Sequence, residues 1–105
     1  MKEFRVTIAS RALQDMEAIY QYIAVNLSSP GTAIKQYDRI AHGIESLNTF
    51  PERYPLMRSK EENKKRIRQI IIDNYSAFYI VHGDEVTVIR VLYSASDISA
   101  KLNEN

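Results

Sequence analysis

The hydrophobic residues in the first half of this chain follow first the period of a strand and then that of helices. Phe4, Val6 and Ile8 alternate with polar residues, which predicts a first strand with one buried face. Apolar residues then recur every three or four positions in two stretches, separated by the helix-breaking sequence at 28–31. The first stripe is Leu13, Met16, Tyr20, Ile23 and Leu27, and the second is Ala33, Tyr37, Ile40, Ile44 and Leu47. Two helices joined by so short a break predict an antiparallel helical hairpin.

The second half of the chain has the pattern of strands joined by tight turns. Two prolines, Pro51 and Pro55, exclude a regular helix after the hairpin. The runs richest in β-branched and aromatic residues are 70–72, 78–81 and 86–93. Polar turn sequences separate these runs, and the sequence at 94–97 can cap a short final helix that runs through Leu102. The order β-α-α-β-β-β predicts an α+β fold, with an antiparallel sheet, the N-terminal hairpin packed on one face and a short C-terminal helix.

Length and composition exclude several classes of protein. With 105 residues, 45% of them hydrophobic, we expect one domain over residues 1–105. The chain has no cysteine and only two histidines, so we expect no disulfide, no metal site and no cofactor. No apolar run is long enough to span a bilayer, and the N-terminus lacks the apolar stretch of a signal peptide. We therefore expect a cytoplasmic protein that makes no membrane contact.

Positive charge is concentrated in one segment of a nearly neutral chain. The formal net charge of the whole chain is +1, whereas residues 58–68 alone carry +4. The basic residues of this segment are Arg58, Lys60, Lys64, Lys65, Arg66 and Arg68. Such a concentration is typical of a local phosphate-binding surface, and a solvated loop is the alternative interpretation.

Two long stretches of the chain resemble a known family. They are VTIASRALQDMEAIYQYIAVNLSSPGTAIKQYDRIAHGIESLNTFPERYPL and RIRQIIIDNYSAFYIVHGDEVTVIRVLYSASDI. In this order, over about residues 4–102, they resemble the RelE/ParE superfamily of toxins of type II toxin–antitoxin systems. The resemblance implies a bacterial toxin that a co-expressed antitoxin protein neutralises. RelE-like members enter the ribosome and cut mRNA, whereas ParE-like members block DNA gyrase, and the shared fold does not distinguish the two activities.

RNA cleavage without a metal needs a general base, a general acid and cations around the phosphate. The resemblance suggests Arg66, Arg68, Arg90 and Tyr93 as catalytic residues of a metal-independent endoribonuclease, with Arg58, Lys60, Lys64 and Lys65 as RNA-binding residues. Arg66 and Arg68 are two positions apart, so on a strand they would face the same side and clamp one phosphate. Arg90 lies in an apolar strand, where its charge needs either a phosphate or a core carboxylate.

The sequence also departs from the pattern of the RNA-cleaving members. Ser94, Ala95 and Ser96 stand where many relatives have a basic pair before the aspartate, and Ser76 stands where ribosome-dependent members often have an arginine. Three hypotheses therefore remain open, and the positive charge of residues 58–68 favours the first of them. The chain is a ribosome-dependent mRNA endonuclease, a gyrase inhibitor that acts by protein binding, or a toxin fold that has lost its activity and keeps a binding role. The partners expected are a cognate antitoxin and either the ribosome with mRNA or DNA gyrase.

Overall fold

The computed structural model describes residues 2–104, which form a four-stranded sheet between two layers of helix. In chain order the elements are β1 (Arg5–Ile8), α1 (Ser10–Gln21), α2 (Pro30–Glu45), α3 (Lys60–Lys64), β2 (Arg68–Ile72), β3 (Tyr75–His82), β4 (Glu85–Tyr93) and α4 (Ile98–Leu102). A π-helical turn at Tyr22–Asn26 follows α1, and single 3₁₀ turns lie at Ser46–Asn48 and Pro51–Arg53. The α+β order and the short C-terminal helix are confirmed.

The sheet is mixed, because β1 adds to the predicted antiparallel strands in the parallel direction. The strand order is β1-β4-β3-β2, with β2, β3 and β4 antiparallel to their neighbours and β1 parallel to β4. The hairpin returns the chain to the end of the sheet where β1 begins, since the Phe4 amide donates to the Asn48 carbonyl at 2.8 Å. Strand β2 starts from this same end, β3 runs back and β4 runs forward again. Strand β4 therefore has the same direction as β1.

Each face of the sheet has its own apolar cluster. The larger one joins the helical hairpin to the sheet through buried residues that include Met16, Ile40, Ile44 and Leu47 on the helices and Ile70, Tyr79, Val86 and Val88 on the strands. On the opposite face, Ile67, Phe78 and Leu92 are buried under Met57 and the two apolar residues of α4, Ile98 and Leu102. The short C-terminal helix therefore covers a face of the sheet that the hairpin leaves open.

The predicted apolar stripe of the first helix is confirmed at Met16 and Ile23 but not at its two ends, whereas the stripe of α2 is confirmed. Leu13 and Leu27, both predicted to be buried, have exposed fractions of 47% and 56%. Ala12 is fully buried instead, and its small side chain suits the close packing of α1 on β4. The π-helical turn at Tyr22–Asn26 adds a residue to the helical turn and rotates the residues after it, so Leu27 leaves the buried face.

The Asp15 carboxylate joins α1 to the part of β4 that extends beyond the end of β1. Strand β1 ends at Ile8, and β4 continues beyond it after a bulge in its pairing with β3. The Asp15 carboxylate of α1 accepts the Val91 backbone amide at 2.9 Å and the Arg90 guanidinium at 2.7 and 3.0 Å. Arg90 also donates to the Lys101 carbonyl of α4 at 2.8 Å. Asp15 and Arg90 thus connect α1, β4 and α4 in one network.

We expect Asp15→Asn to lower the free energy of unfolding by about 3 kcal/mol, because it leaves the buried Arg90 charge with only the half-exposed Glu104 carboxylate, 3.5 Å away, as a counterion. The side chains of Asp15 and Arg90 have exposed fractions of only 11% and 10%. Urea unfolding followed by circular dichroism measures the change. A matched control is Glu85→Gln, which breaks an exposed pair with Arg5 and should cost less than about 1 kcal/mol. Equal, small losses in both variants would contradict the role assigned to Asp15.

Candidate functional site

Arg68, expected to bind phosphate, is buried and bound to the protein itself. Its guanidinium donates to the carbonyl oxygens of Tyr54 at 2.5 Å and Glu52 at 3.4 Å, and the Glu52 carboxylate lies 3.5 Å away. Beside it, the Tyr79 hydroxyl donates to the Pro51 carbonyl at 2.6 Å, and burial raises the pKa of Tyr79 to about 12. Arg68 and Tyr79 thus hold the turn at Pro51 against the sheet.

Arg66 does not share a face with Arg68, so the predicted phosphate clamp is wrong. Arg66 precedes β2 and has a left-handed backbone with φ of 59°, and the alternation of a strand does not apply to it. It is exposed to solvent, whereas Arg68 is 9% exposed. A spacing of two residues places side chains on the same face only within a strand. Strand β2 begins at Arg68, so Arg66 lies outside it.

Arg68 and Arg90 belong to opposite faces of the sheet. Arg68 pairs directly with Tyr79, which lies in the cluster under the hairpin, whereas Arg90 pairs with Phe78, which lies in the cluster under α4. Directly opposed residues of antiparallel strands point to the same side, so these two guanidinium groups point away from each other. Arg90 is held by Asp15, and this hydrogen bond is the main cause of its raised pKa. The two arginines therefore do not form one cationic site.

Tyr93 remains on the surface at the end of β4. Its exposed fraction is 53%, and its ring meets that of Tyr75 edge to face, with 5.9 Å between the ring centroids. Nearby, the hydroxyl of Ser76 is buried and hydrogen-bonded to Gln69 at 2.9 Å and to Ser94 at 2.7 Å. The position where an arginine was expected in an RNA-cleaving toxin is thus filled by a small polar network.

The basic segment contains a short helix, α3, and Arg58, Lys65 and Arg66 lie in the irregular chain on either side of it. Arg58, Lys60, Lys64 and Arg66 are exposed on or beside α3, and Lys65 donates to the Asn103 side chain at 3.1 Å. The helix is anchored by Glu62, which is 2% exposed and accepts the Ser99 hydroxyl of α4 at 2.6 Å. The cations are therefore displayed on a fixed surface, which we call the α3 surface and define as Arg58, Lys60, Lys64, Lys65 and Arg66.

Glu62 is a residue that the sequence analysis missed. Hydrogen bonds with Ser99 and Ser59 lower the pKa of the Glu62 carboxyl below its ordinary value of 4.5, so it stays ionised although it is buried. Ser59 is the residue before the first turn of α3, and a serine followed three positions later by a glutamate is the pattern of a capping box. That local pattern was the available signal, whereas the pairing with Ser99 is visible only in the fold.

An open groove runs along the edge strand β2. It has a volume of about 640 Å³ and is lined by residues 54–59 together with Gln69 and Ile71. Ile71 has an exposed fraction of 66%, and Arg58 contributes a positive charge to the wall. An edge strand with an apolar groove suits an extended polypeptide segment, because backbone groups and alternate side chains can both be matched.

We expect acid to remove the stabilising effect of Glu62. A carboxylate whose pKa is lowered by folding stabilises the protein above its unfolded-state pKa, and this contribution is lost as the pH falls through its folded-state pKa. Glu62→Gln should therefore cost about 1–3 kcal/mol of unfolding free energy at pH 7, and the difference from the unmodified chain should shrink below about pH 4.5. Urea titrations at several pH values measure it. Glu61→Gln, at the exposed neighbouring position, should change little at any pH. A difference for Glu62→Gln that does not depend on pH would contradict this explanation.

Two further features of residues 2–104 bear on the site. No group of three histidine, cysteine or carboxylate side chains in this part of the chain could hold a metal ion. Within the same residues, none of the helices has the length and apolar character needed to cross a membrane.

Two solved structures have the same fold as this chain. The chromosomal ParDE toxin–antitoxin system from P. aeruginosa has a chain with a TM-score of 0.73 and 22% identity, and the match covers 87% of this chain and 96% of that one. The toxin–antitoxin complex RelBE2 from Mycobacterium tuberculosis has a TM-score of 0.59 and 15% identity, and covers 91% and 97%. Among curated protein sequences, none matches this chain.

A match to a sequence family identifies the chain more specifically than the two structures do, since their identities to it are only 22% and 15%. A model of the family described as the ParE toxin of the parDE type II toxin–antitoxin system matches residues 6–98. The match extends from the second residue of β1 to the first residue of α4, and so includes the hairpin, β2, β3, β4 and most of β1. The chain therefore belongs to the ParE toxin family of type II toxin–antitoxin systems.

Proposed function

We propose that this toxin inhibits DNA gyrase by binding to it, and that it does not cleave RNA. The observation that carries the proposal is the position of Arg68 and Arg90, which are buried on opposite faces of the sheet and already bound to acceptors of the protein. A phosphorane needs several cations converging on one point, because the charge that develops there is local. The ParE family match supports gyrase as the target, since ParE-like members are the gyrase-directed branch of the superfamily.

The surface supports a protein partner in a second way. Several large apolar side chains are exposed on the hairpin and its tip, among them Tyr22, Val25, Leu27 and Ile34, with exposed fractions between 51% and 65%. Clusters of such residues are typical of protein interaction sites. Inhibition by binding needs such a surface and no catalytic group.

We also propose a cognate antitoxin as a partner. The two solved structures of similar fold come from a toxin–antitoxin system and a toxin–antitoxin complex. An acidic or amphipathic helix would complement the α3 surface, and an extended segment would fit the groove along β2. Since gyrase and a co-expressed antitoxin are both cytoplasmic, the proposal places the toxin in the cytoplasm.

Ribosome-dependent mRNA cleavage is the second candidate, and the α3 surface is what favours it. Arg58, Lys60, Lys64 and Arg66 are exposed and close in sequence, so they provide the positive charge that ribosomal RNA would attract. In this case the groove and Tyr93 would have to supply the chemistry, without Arg68 or Arg90.

The two candidates are separated by two assays on the same purified protein. We expect the protein to block supercoiling of relaxed plasmid by gyrase and to leave a defined mRNA intact in a reconstituted translation system. Cuts in the mRNA that appear only with ribosomes, together with unimpaired supercoiling, would overturn the gyrase proposal.

We expect Lys60→Gln with Lys64→Gln to leave inhibition of gyrase within about threefold of the unmodified protein, since a binding mode that uses the hairpin does not need these charges. RNA cleavage, where it occurs, should fall about tenfold or more, because fewer phosphates are neutralised. The matched control is Lys2→Gln with Arg5→Gln, which removes the same charge from exposed positions outside both the α3 surface and the hairpin. Inhibition of gyrase that falls only in the α3 pair would contradict the assigned binding mode.

A further inference from the structure

A small cleft between α1 and α2 combines aromatic rings with carboxylates. It has a volume of about 210 Å³ and is lined by Glu17 and Tyr20 of α1 and by Ile34, Tyr37 and Asp38 of α2. The two tyrosine rings meet edge to face, with 6.3 Å between their centroids and 89° between their planes. This arrangement presents the face of one ring beside the edge of the other, next to two negative charges.

Neither carboxylate of the cleft is neutralised by the protein. Glu17 and Asp38, like several exposed carboxylates elsewhere in residues 2–104, have no arginine or lysine nitrogen within 4.0 Å; what distinguishes them is that both line a cleft with two tyrosine rings. Glu17 accepts one hydrogen bond, from the Gln21 side chain at 3.2 Å, and within the same residues the Asp38 carboxylate accepts none. The cleft therefore carries two negative charges that are not paired with a cation within the described residues.

An organic cation fits this combination better than a metal ion does. Two carboxylates are too few for a dedicated metal site, and an aromatic lining does not coordinate a metal. A guanidinium group can bind a carboxylate through its planar fork and at the same time stack on a tyrosine ring. Lysine offers only a point charge, so the flat rings of Tyr20 and Tyr37 favour arginine.

The surroundings of the cleft indicate that the arginine belongs to a protein. Ile34 is 51% exposed at the cleft, and Leu13, one turn before Glu17 on α1, is 47% exposed. A free cation gains nothing from these apolar side chains, whereas a polypeptide with apolar residues beside its arginine covers them. We propose that this cleft is a docking site for an arginine side chain of a partner protein, flanked in that partner by apolar residues. The inference does not depend on whether gyrase or the ribosome is the target.

The test compares two peptides that differ only in charge. Ac-Leu-Arg-Leu-NH₂ is titrated into the full-length protein while the ring resonances of Tyr20 and Tyr37 are followed by NMR, and the isosteric peptide with citrulline in place of arginine is titrated in parallel. We expect saturable shifts with the arginine peptide and binding at least about fivefold weaker with the citrulline peptide. Equal binding of both peptides would overturn the proposal, because the cleft would then be only apolar. So would the absence of any shift up to about 10 mM peptide, well above the millimolar range that so small a contact should reach.

Variants locate the binding in the cleft. Asp38→Asn and Glu17→Gln should each weaken the arginine peptide by about fivefold and leave the citrulline peptide unchanged, because only the cation interacts with the charge. The matched control is Glu45→Gln, an exposed carboxylate at the other end of α2 that does not line the cleft. Both cleft carboxylates lie on the hairpin surface, so the variants are expected to keep the fold, which the dispersion of the amide spectrum verifies. A loss of affinity in Glu45→Gln equal to that in the cleft variants would contradict the assignment.

Discussion

The structure depends most on a single carboxylate, Asp15, which lies where β4 continues beyond the end of β1. Beyond Ile8, one edge of β4 has no strand beside it, and a backbone amide there would be left without a partner. Asp15 accepts this amide, from Val91, and binds Arg90 with its remaining capacity. Because Arg90 also reaches the Lys101 carbonyl, the position of α4 on the far face of the sheet is tied to a residue of α1. The buried charge pair thus replaces the missing part of a strand.

That interaction also explains why the sequence misled us about the site. An arginine in an apolar strand has either a ligand or an internal partner, and the sequence places the partner of Arg90 75 positions away on a helix. In the sequence, nothing distinguishes Asp15 from an ordinary acidic residue near the start of a helix. Arg68 was ambiguous in the same way, since its acceptors are backbone carbonyls of an irregular turn. Pairings across the fold leave no local pattern, so these assignments needed the structure.

Local patterns predicted much more of the fold than of the site. The stripe of α2 and the three antiparallel strands follow from periodicity and β-branched content, because burial on one face imposes both. The direction of β1 and the exposure of Leu27 do not follow in this way. The direction of β1 depends on where the hairpin returns the chain, near Asn48. Leu27 leaves the buried face because of a π-helical turn that no residue type announces. Glu62, which anchors α3, was predictable only in part. Its capping pattern with Ser59 is local, but its hydrogen-bond partner Ser99 is distant in sequence.

The cations of the α3 surface and the carboxylates of the cleft lie on opposite faces of the sheet. The α3 surface leaves its cations beside α4, whereas Glu17 and Asp38 lie on the hairpin, which packs on the opposite face. The molecule is 21 Å across its shortest axis, so a single partner that meets both charges must pass around an edge of the sheet. An extended chain needs at least about six or seven residues, at about 3.3 Å each, because the path around the edge is longer than this thickness. Under the proposals above, a folded target such as gyrase would approach one face as a rigid body. An extended antitoxin segment would neutralise both sets of charge at once, so the two proposed classes of partner would have different footprints on the same chain.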